Sequence, residues 1–172
     1  TWLSIDVHPD GRTLVFDLLG DLYTIPIEGG DATRITDGLA FDGQPRYSPQ
    51  GNHIVFVSDR SGGENLWTLN LQSGDTTQIT RGNEGSWLSP EWTPDGDYIV
   101  ASKGKTRLGV VNLWMVHTDG GLGRALISED DGLKTVGAAV SSDGRYIWHA
   151  VKNARAWDYN AQFPQYQLAI YD

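Results

Sequence analysis

The sequence predicts an all-β protein, and more narrowly a partial β-propeller of four-stranded antiparallel blades. One motif occurs four times in the 172 residues: a turn that ends in glycine, followed by an apolar strand. The turn glycines are Gly11, Gly51, Gly96 and Gly144, and their spacing of about 40 to 48 residues is typical of a propeller blade. No stretch carries the apolar periodicity of a helix over three turns, and the 21 glycines exceed the usual share, which also favours strands.

Each repeat contains strand-like segments joined by hairpin signals. In the second repeat these segments cover residues 45–48, 52–58, 65–70 and 76–80. Proline presets φ early in the first turn of the repeat, and glycine accepts a positive φ at its end. Neighbours in sequence are therefore expected to be neighbours in the sheet.

Three repeats are complete, and the fourth stops after its third strand. We expect a single domain, residues 1–172, with blades at about 5–36, 45–80, 90–127 and 138–172. Propellers usually close with about four to eight blades, so an incomplete set leaves an open apolar edge. Either the chain is a fragment of a longer propeller, or copies of it self-associate through that edge.

The central strands have the composition of strands that are covered on both faces. Residues 54–57 are all apolar, which is expected when a blade lies between two others. A leucine followed by an aromatic residue recurs at 22–23, 66–67 and 113–114. This pair predicts a large ring at the same seam between blades in each repeat.

Composition excludes several classes of protein. The formal net charge of −9, without a basic stripe, makes nucleic acid a poor partner. There is no apolar run of about 18 residues, so nothing in this stretch is expected to span a membrane. With no cysteine, disulfides and thiolate metal sites are absent, and this fits a periplasmic setting without proving it.

The repeat resembles the β-propeller repeat of the TolB-like family. The second repeat carries nearly every element: Ser48-Pro49-Gln50-Gly51, an apolar strand, Ser58-Asp59-Arg60, a glycine loop, Leu66-Trp67, and Ile79-Thr80. Residues 2–37 and 157–166 also resemble the N-terminal propeller of TolB-like amidohydrolase-family proteins, in which a metal-dependent hydrolase domain follows. The resemblance implies a periplasmic or secreted location.

No catalytic, cofactor or metal site is expected in this chain. The His-x-His motif of the amidohydrolases is absent, because His8, His53, His117 and His149 stand alone. A serine-hydrolase elbow and a phosphate-binding loop are also absent. We interpret Asp10, Asp95 and Asp143 as turn residues, and Asp59 with Arg60 as residues that tie down the next loop.

Loops at one end of the blades are the best candidates for binding, because binding residues concentrate on loops held by a rigid scaffold. These loops connect the second strand to the third, and the fourth strand to the next blade. The predicted partner-binding residues are Phe41, Asp42, Trp87, Arg107, Trp157 and Tyr159. Trp87 and Trp157, which we place outside the strands, could instead pack a loop onto the blades.

Three functions remain open. The first is a non-catalytic propeller segment of an amidohydrolase-associated protein that docks against a domain or a protein partner. The second is a self-contained, periplasmic TolB-type interaction module. The third, an enzyme or small-molecule binder with its site at the channel mouth, would need a catalytic constellation that the sequence lacks. The propeller scaffold alone does not choose among them.

Overall fold

The structure, a computed structural model, describes residues 3–83, 85–104, 111–128, 133–153 and 166–172. In these residues the regular elements are β-strands arranged in four antiparallel sheets. Three sheets have four strands and the last has three, and the strands of each sheet lie in sequence order. The predicted all-β partial propeller, with three complete blades, is confirmed.

Each sheet is one blade, and its strands follow one another in the chain. Blade 1 contains β1 (Ile5–Val7), β2 (Thr13–Leu18), β3 (Asp21–Pro26) and β4 (Thr33–Arg34). Blade 2 contains β5 (Asp42–Tyr47), β6 (His53–Ser58), β7 (Asn65–Asn70) and β8 (Thr76–Gln78). Blade 3 contains β9 (Ser86–Trp92), β10 (Tyr98–Gly104), β11 (Val111–His117) and β12 (Arg124–Ala125). Blade 4 contains β13 (Leu133–Val140), β14 (Ile147–Asn153) and β15 (Gln167–Tyr171).

The repeated turn has the same conformation in every blade. All four predicted turn glycines have positive φ, between 72° and 81°. The turn carboxylates accept hydrogen bonds from backbone N–H groups two residues further on, at 2.8 Å for Asp10 and Arg12, and at 3.0 Å for Asp95 and Asp97. Asp143 does the same with Arg145, so the structural reading of these three aspartates is confirmed.

Hydrogen bonds within the turn hold the pKa of the three turn carboxylates below the usual value. The largest cause is the Thr93 hydroxyl at Asp95 and the Ser141 hydroxyl at Asp143. At Asp10 the largest cause is the Arg12 N–H. The hydrogen bonds of these carboxylates are therefore made within the turn.

The central strands of a blade face two neighbours at once, because alternate residues of a strand point to opposite faces. In blade 2, Ile54 and Phe56 join the apolar cluster shared with blade 1. Val55 and Val57 join the cluster shared with blade 3. Two-sided burial therefore explains the unbroken apolar run in β6.

The leucine and the aromatic residue of each repeated pair face different neighbours. Leu66 is fully buried toward blade 3, whereas Trp67 packs toward blade 1. Blade 3 repeats the arrangement, with Leu113 toward blade 4 and Trp114 toward blade 2. The aromatic ring thus lies at the seam with the preceding blade, as predicted.

The first strands of blades 2 to 4 begin earlier than the sequence pattern indicates, because each runs through a bulge. Register shifts accompany positive φ at Gln44 (57°), Ser89 (50°) and Gly137 (70°), each seven positions before its turn glycine. The freed N–H groups bond to the preceding blade: Gln44 N donates to Asp17 Oδ2 at 2.8 Å, and Ser89 N donates to Gln44 Oε1 at 2.6 Å. The bulges therefore link neighbouring blades.

Two blade faces remain uncovered within the part of the chain that the structure describes. On blade 1, Ile5 and Val7 are exposed apolar residues of the face that points away from blade 2. On blade 4, Trp148 and Ile170 form an exposed cross-strand pair on the face that points away from blade 3. No helix among the described residues is long and apolar enough to cross a membrane.

We predict that the isolated 172-residue chain self-associates through these faces, because burying exposed apolar area is favourable at about 25 cal/mol per Å². The double substitution Trp148→Lys and Ile170→Lys should shift the mass toward the monomer in sedimentation equilibrium. Leu122→Lys is the control, since Leu122 is an apolar residue that is even more exposed (93%) but lies outside the strands. A concentration-independent monomer for the unmodified chain would contradict the prediction.

Candidate partner-binding surface

Three exposed apolar side chains lie on neighbouring loops at one end of blades 1 and 2. Leu19 is 84% exposed in the turn between β2 and β3, and Leu39 (107%) and Phe41 (53%) follow β4. We call Leu19, Leu39 and Phe41 the loop-end patch. The Phe41 ring lies close to the turn, at a distance of 3.2 Å between its Cδ2 and the position of a Cβ at Gly20. Asp42 N also donates to Gly20 O at 2.8 Å.

A shallow cleft of about 620 Å³ adjoins the patch. Its lining includes Leu39, Ala40 and the charged residues Asp37, Asp59 and Arg60. Asp59 Oδ1 accepts the Phe41 N–H at 2.7 Å, which fixes the loop before β5. Asp59 thus ties down a loop, but it is the loop before β5 and not the predicted loop that follows β6.

Arg60 connects the loop that follows β6 to the start of β5. Its Nη2 donates to Asp42 Oδ2 at 2.6 Å, and Asp42 is only 1% exposed. The guanidinium also lies 5.2 Å from the ring centres of both Phe56 and Trp67. A charged group in contact with two aromatic faces and a buried carboxylate is a structural latch.

In blade 3 a different pair of residues holds the start of the first strand. Trp87 stands at the position that Asp42 occupies in blade 2, both being nine residues before the turn glycine. The Lys103 ammonium lies 5.1 Å from the Trp87 ring centre and 4.2 Å from that of Trp114. A cation–π contact therefore replaces the ion pair.

The predicted binding residues fall into three groups. Phe41 is exposed on a loop, as expected. Asp42 and Trp87 begin strands and are buried, so the placement of Trp87 outside the strands is wrong, and neither side chain can touch a partner directly. Trp87 is 5% exposed because it packs edge-to-face on Trp114, 6.3 Å between ring centres. Arg107, Trp157 and Tyr159 lie outside the described residues.

Sequence reasoning missed Leu19 and Leu39. The signal at Leu19 was a leucine directly before Gly20 and Asp21, where a two-residue hairpin turn favours Asn or Asp. Leu39 carries no such signal, because a single exposed leucine is common on protein surfaces.

Charged residues of the inner strands also link blades. The first strands of neighbouring blades contact one another, which places them on the inner side. Arg46 Nε lies 3.6 Å from Glu91 Oε2, and Tyr47 N donates to Asp6 Oδ2 at 2.8 Å. Burial raises the pKa of Glu91 to about 6, although Arg46 opposes this shift.

The described residues contain no group of three or more His, Asp or Glu side chains suited to hold a metal ion. His8 has a structural contact across the blades, since its Nε2 lies 3.0 Å from Gly51 O. It also packs edge-to-face on Tyr47 at 4.8 Å.

These features define a segment of a β-propeller that carries exposed apolar side chains on loops at one end. The family described as the Tricorn protease N-terminal beta propeller domain matches residues 4–166. The chain belongs to that family.

Curated relatives cover parts of the chain. The uncharacterized protein Atu1656 of Agrobacterium fabrum is 33% identical over 96 residues, 54% of this chain and 32% of its own length. The Tol-Pal system protein TolB of Francisella tularensis is 39% identical over 79 residues, 45% of this chain and 18% of its own. Tricorn protease homolog 1 of Streptomyces coelicolor is 26% identical over 95 residues, 55% of this chain and 9% of its own. The alignments therefore span about a third or less of these relatives.

Solved structures show the same fold. The putative TolB from Agrobacterium tumefaciens superposes with a TM-score of 0.70 at 16% identity, over 98% of this chain and 76% of that chain. The tricorn protease superposes with a TM-score of 0.66 at 12% identity, over 99% of this chain and 15% of that chain. The resemblance to TolB-like propellers is confirmed.

The Arg60 latch yields a stability prediction. Arg60→Met should lower the free energy of unfolding by about 3 kcal/mol, because it leaves the buried Asp42 carboxylate unpaired. The double variant Arg60→Met with Asp42→Asn should lose clearly less than the sum of the two single variants. Chemical denaturation of the four proteins measures this coupling, and additive losses would refute the latch.

Proposed function

We propose that the chain is a non-catalytic docking scaffold, whose loop-end patch binds a protein partner or a neighbouring domain. The observation that carries the proposal is the patch itself: Leu19, Leu39 and Phe41 are exposed together above a rigid, hydrogen-bonded base. Exposed apolar groups gathered on an ordered surface are typical of protein interfaces, in which aromatic anchors contribute much of the affinity.

Backbone strain at Leu19 supports a binding role. Leu19 has a φ of 56° and Gly20 a φ of 94°, so both central residues of this hairpin turn have positive φ. A non-glycine residue in that region costs about 1 kcal/mol, and leucine has no local hydrogen bond to offset the cost. Since the side chain is exposed, internal packing does not account for it.

The charge around the patch favours a partner with basic side chains. Asp37 and Asp59 line the adjoining cleft, and the Arg60 that lines it with them is paired with the buried Asp42. The whole chain carries a formal net charge of −9. Complementary charge accelerates association and fixes orientation more than it raises affinity. An apolar anchor flanked by lysine or arginine is the chemistry that fits this surface.

Relatives support the choice of an interaction module. One is named as a Tol-Pal system protein and another as a tricorn protease homolog, and in both the matched part is a small share of a longer protein. Association with a metal-dependent amidohydrolase domain is a narrower form of the same proposal, carried by the resemblance of the sequence. A periplasmic or secreted location belongs to the proposal as well, supported by the likeness to TolB.

Photo-crosslinking tests the proposal. A benzoylphenylalanine at Phe41 in the native protein should crosslink to one defined protein or domain, identified by mass spectrometry. Leu122 is the control position, because it is an even more exposed apolar residue (93%, against 53% for Phe41) that follows β11 at the opposite end of blade 3. No crosslink at Phe41, or equal crosslinking at both positions, would overturn the proposal.

Leu19→Asn separates stability from binding. We expect the free energy of unfolding to rise by about 1 kcal/mol, because asparagine tolerates positive φ. The Phe41 crosslink should weaken at the same time, since an apolar contact is lost. An unchanged crosslink in the stabilised variant would show that Leu19 takes no part in docking.

A further inference from the structure

A second cavity lies at the opposite end of the blades, between blades 2 and 3. It has a volume of about 380 Å³, and its lining includes Asn52, Thr68, Thr77, Trp92 and Thr118. Neither lysine nor arginine is among the described residues that line it, and the one carboxylate, Asp119, is highly exposed at its rim. The cavity is therefore built mainly of neutral polar groups.

Two replacements open this seam where its counterpart between blades 1 and 2 is closed. Leu71 and Thr118 are equivalent, since Leu71 N donates to Asn52 O at 3.0 Å and Thr118 N to Asp97 O at 2.9 Å. Leu71 packs into the apolar cluster of blades 1 and 2, whereas Thr118 lines the cavity.

The second replacement is at the start of the repeated turn. His8 crosses its seam to contact Gly51, but the equivalent residue of blade 2 is the small Ser48. Between blades 2 and 3 the Gln50 side chain, instead of an imidazole, lies against the equivalent glycine, Gly96, and both residues line the cavity. Its lining includes Ser48 itself.

Several hydrogen-bond donors and acceptors in the cavity have no partner among the described residues. Asn52 Oδ1 accepts the Ser48 hydroxyl at 3.0 Å and lies 3.0 Å from His53 Nδ1, so the Asn52 amide nitrogen is the free end. The hydroxyls of Thr68 and Thr77 have no hydrogen-bond partner among the described residues, and Thr68 is nevertheless buried. The Gln50 amide nitrogen donates to Asp95 O at 3.3 Å, which leaves the Gln50 side-chain carbonyl oxygen as an acceptor for a ligand.

We propose that this cavity binds a neutral polyhydroxylated ligand, of the size of a disaccharide. Alternating donors and acceptors match adjacent hydroxyl groups, which can donate and accept at once. Trp92, which is 7% exposed, contributes the apolar part of the lining against which C–H groups of a sugar pack. The lack of a lining lysine or arginine disfavours phosphate and carboxylate ligands. The site is separate from the loop-end patch, so it stands or falls independently of the docking proposal.

An NMR titration of the native protein with cellobiose, maltose and chitobiose tests the site. At least one of them should give saturable shifts of the Thr68, Thr77 and Thr118 amides, with a Kd on the order of millimolar. Thr118→Leu should weaken binding at least about tenfold, because it installs the side chain that closes the neighbouring seam. This variant is expected to fold, since blade 2 carries leucine at that position.

Thr68→Val should weaken binding about fivefold, the effect of losing one neutral hydrogen bond. The matched control is Thr24→Val, which removes the equivalent hydroxyl from blade 1 and should leave the Kd unchanged. Two results would overturn the proposal: no saturable shift with any of the three sugars at about 50 mM, or shifts that persist unchanged in Thr118→Leu.

Discussion

Burial of the central strands on both faces is the constraint on which this structure depends. A four-stranded sheet that packs on one side only would leave half of its apolar side chains in water. In blade 2, the alternation of Ile54, Val55, Phe56 and Val57 divides one strand between two seams. Each blade is therefore stabilised by its neighbours, and the loops at the ends of the blades are free to differ.

Specific hydrogen bonds satisfy the buried N–H groups at the start of the third strand in blades 1 to 3, within a blade or across a seam. The Leu66 N–H donates to Thr80 Oγ1 at 2.9 Å, and blade 1 repeats this with Leu22 and Thr36. In blade 3 isoleucine replaces this threonine, and Thr135 of blade 4 supplies the hydroxyl to Leu113 N instead, also at 2.9 Å. A buried N–H must be satisfied, so the function of a missing residue passes to the next blade.

Much of the fold could be predicted from the sequence, because glycine turns and apolar alternation are local signals. The bulges at Gln44 and Ser89 could not, since neither residue type marks a positive φ. Trp87 was misplaced for the same reason: its strand starts before the bulge, and the sequence there shows no alternation. At the candidate sites, Phe41 was accessible to sequence reasoning because it lies on a loop. The cavity beside Thr118 was not, because its lining residues come from separate strands and turns of two blades and meet only in the folded structure.

Native-state hydrogen exchange of Leu66→Ala tests most directly whether neighbouring blades stabilise one another. Leu66 is fully buried in the seam between blades 2 and 3. If that seam couples the blades, the most protected amides of β6 and β10 should lose the same protection, about 3 kcal/mol. Loss confined to β6, with wild-type protection in β10, would show that the blades are stable independently and would contradict the account.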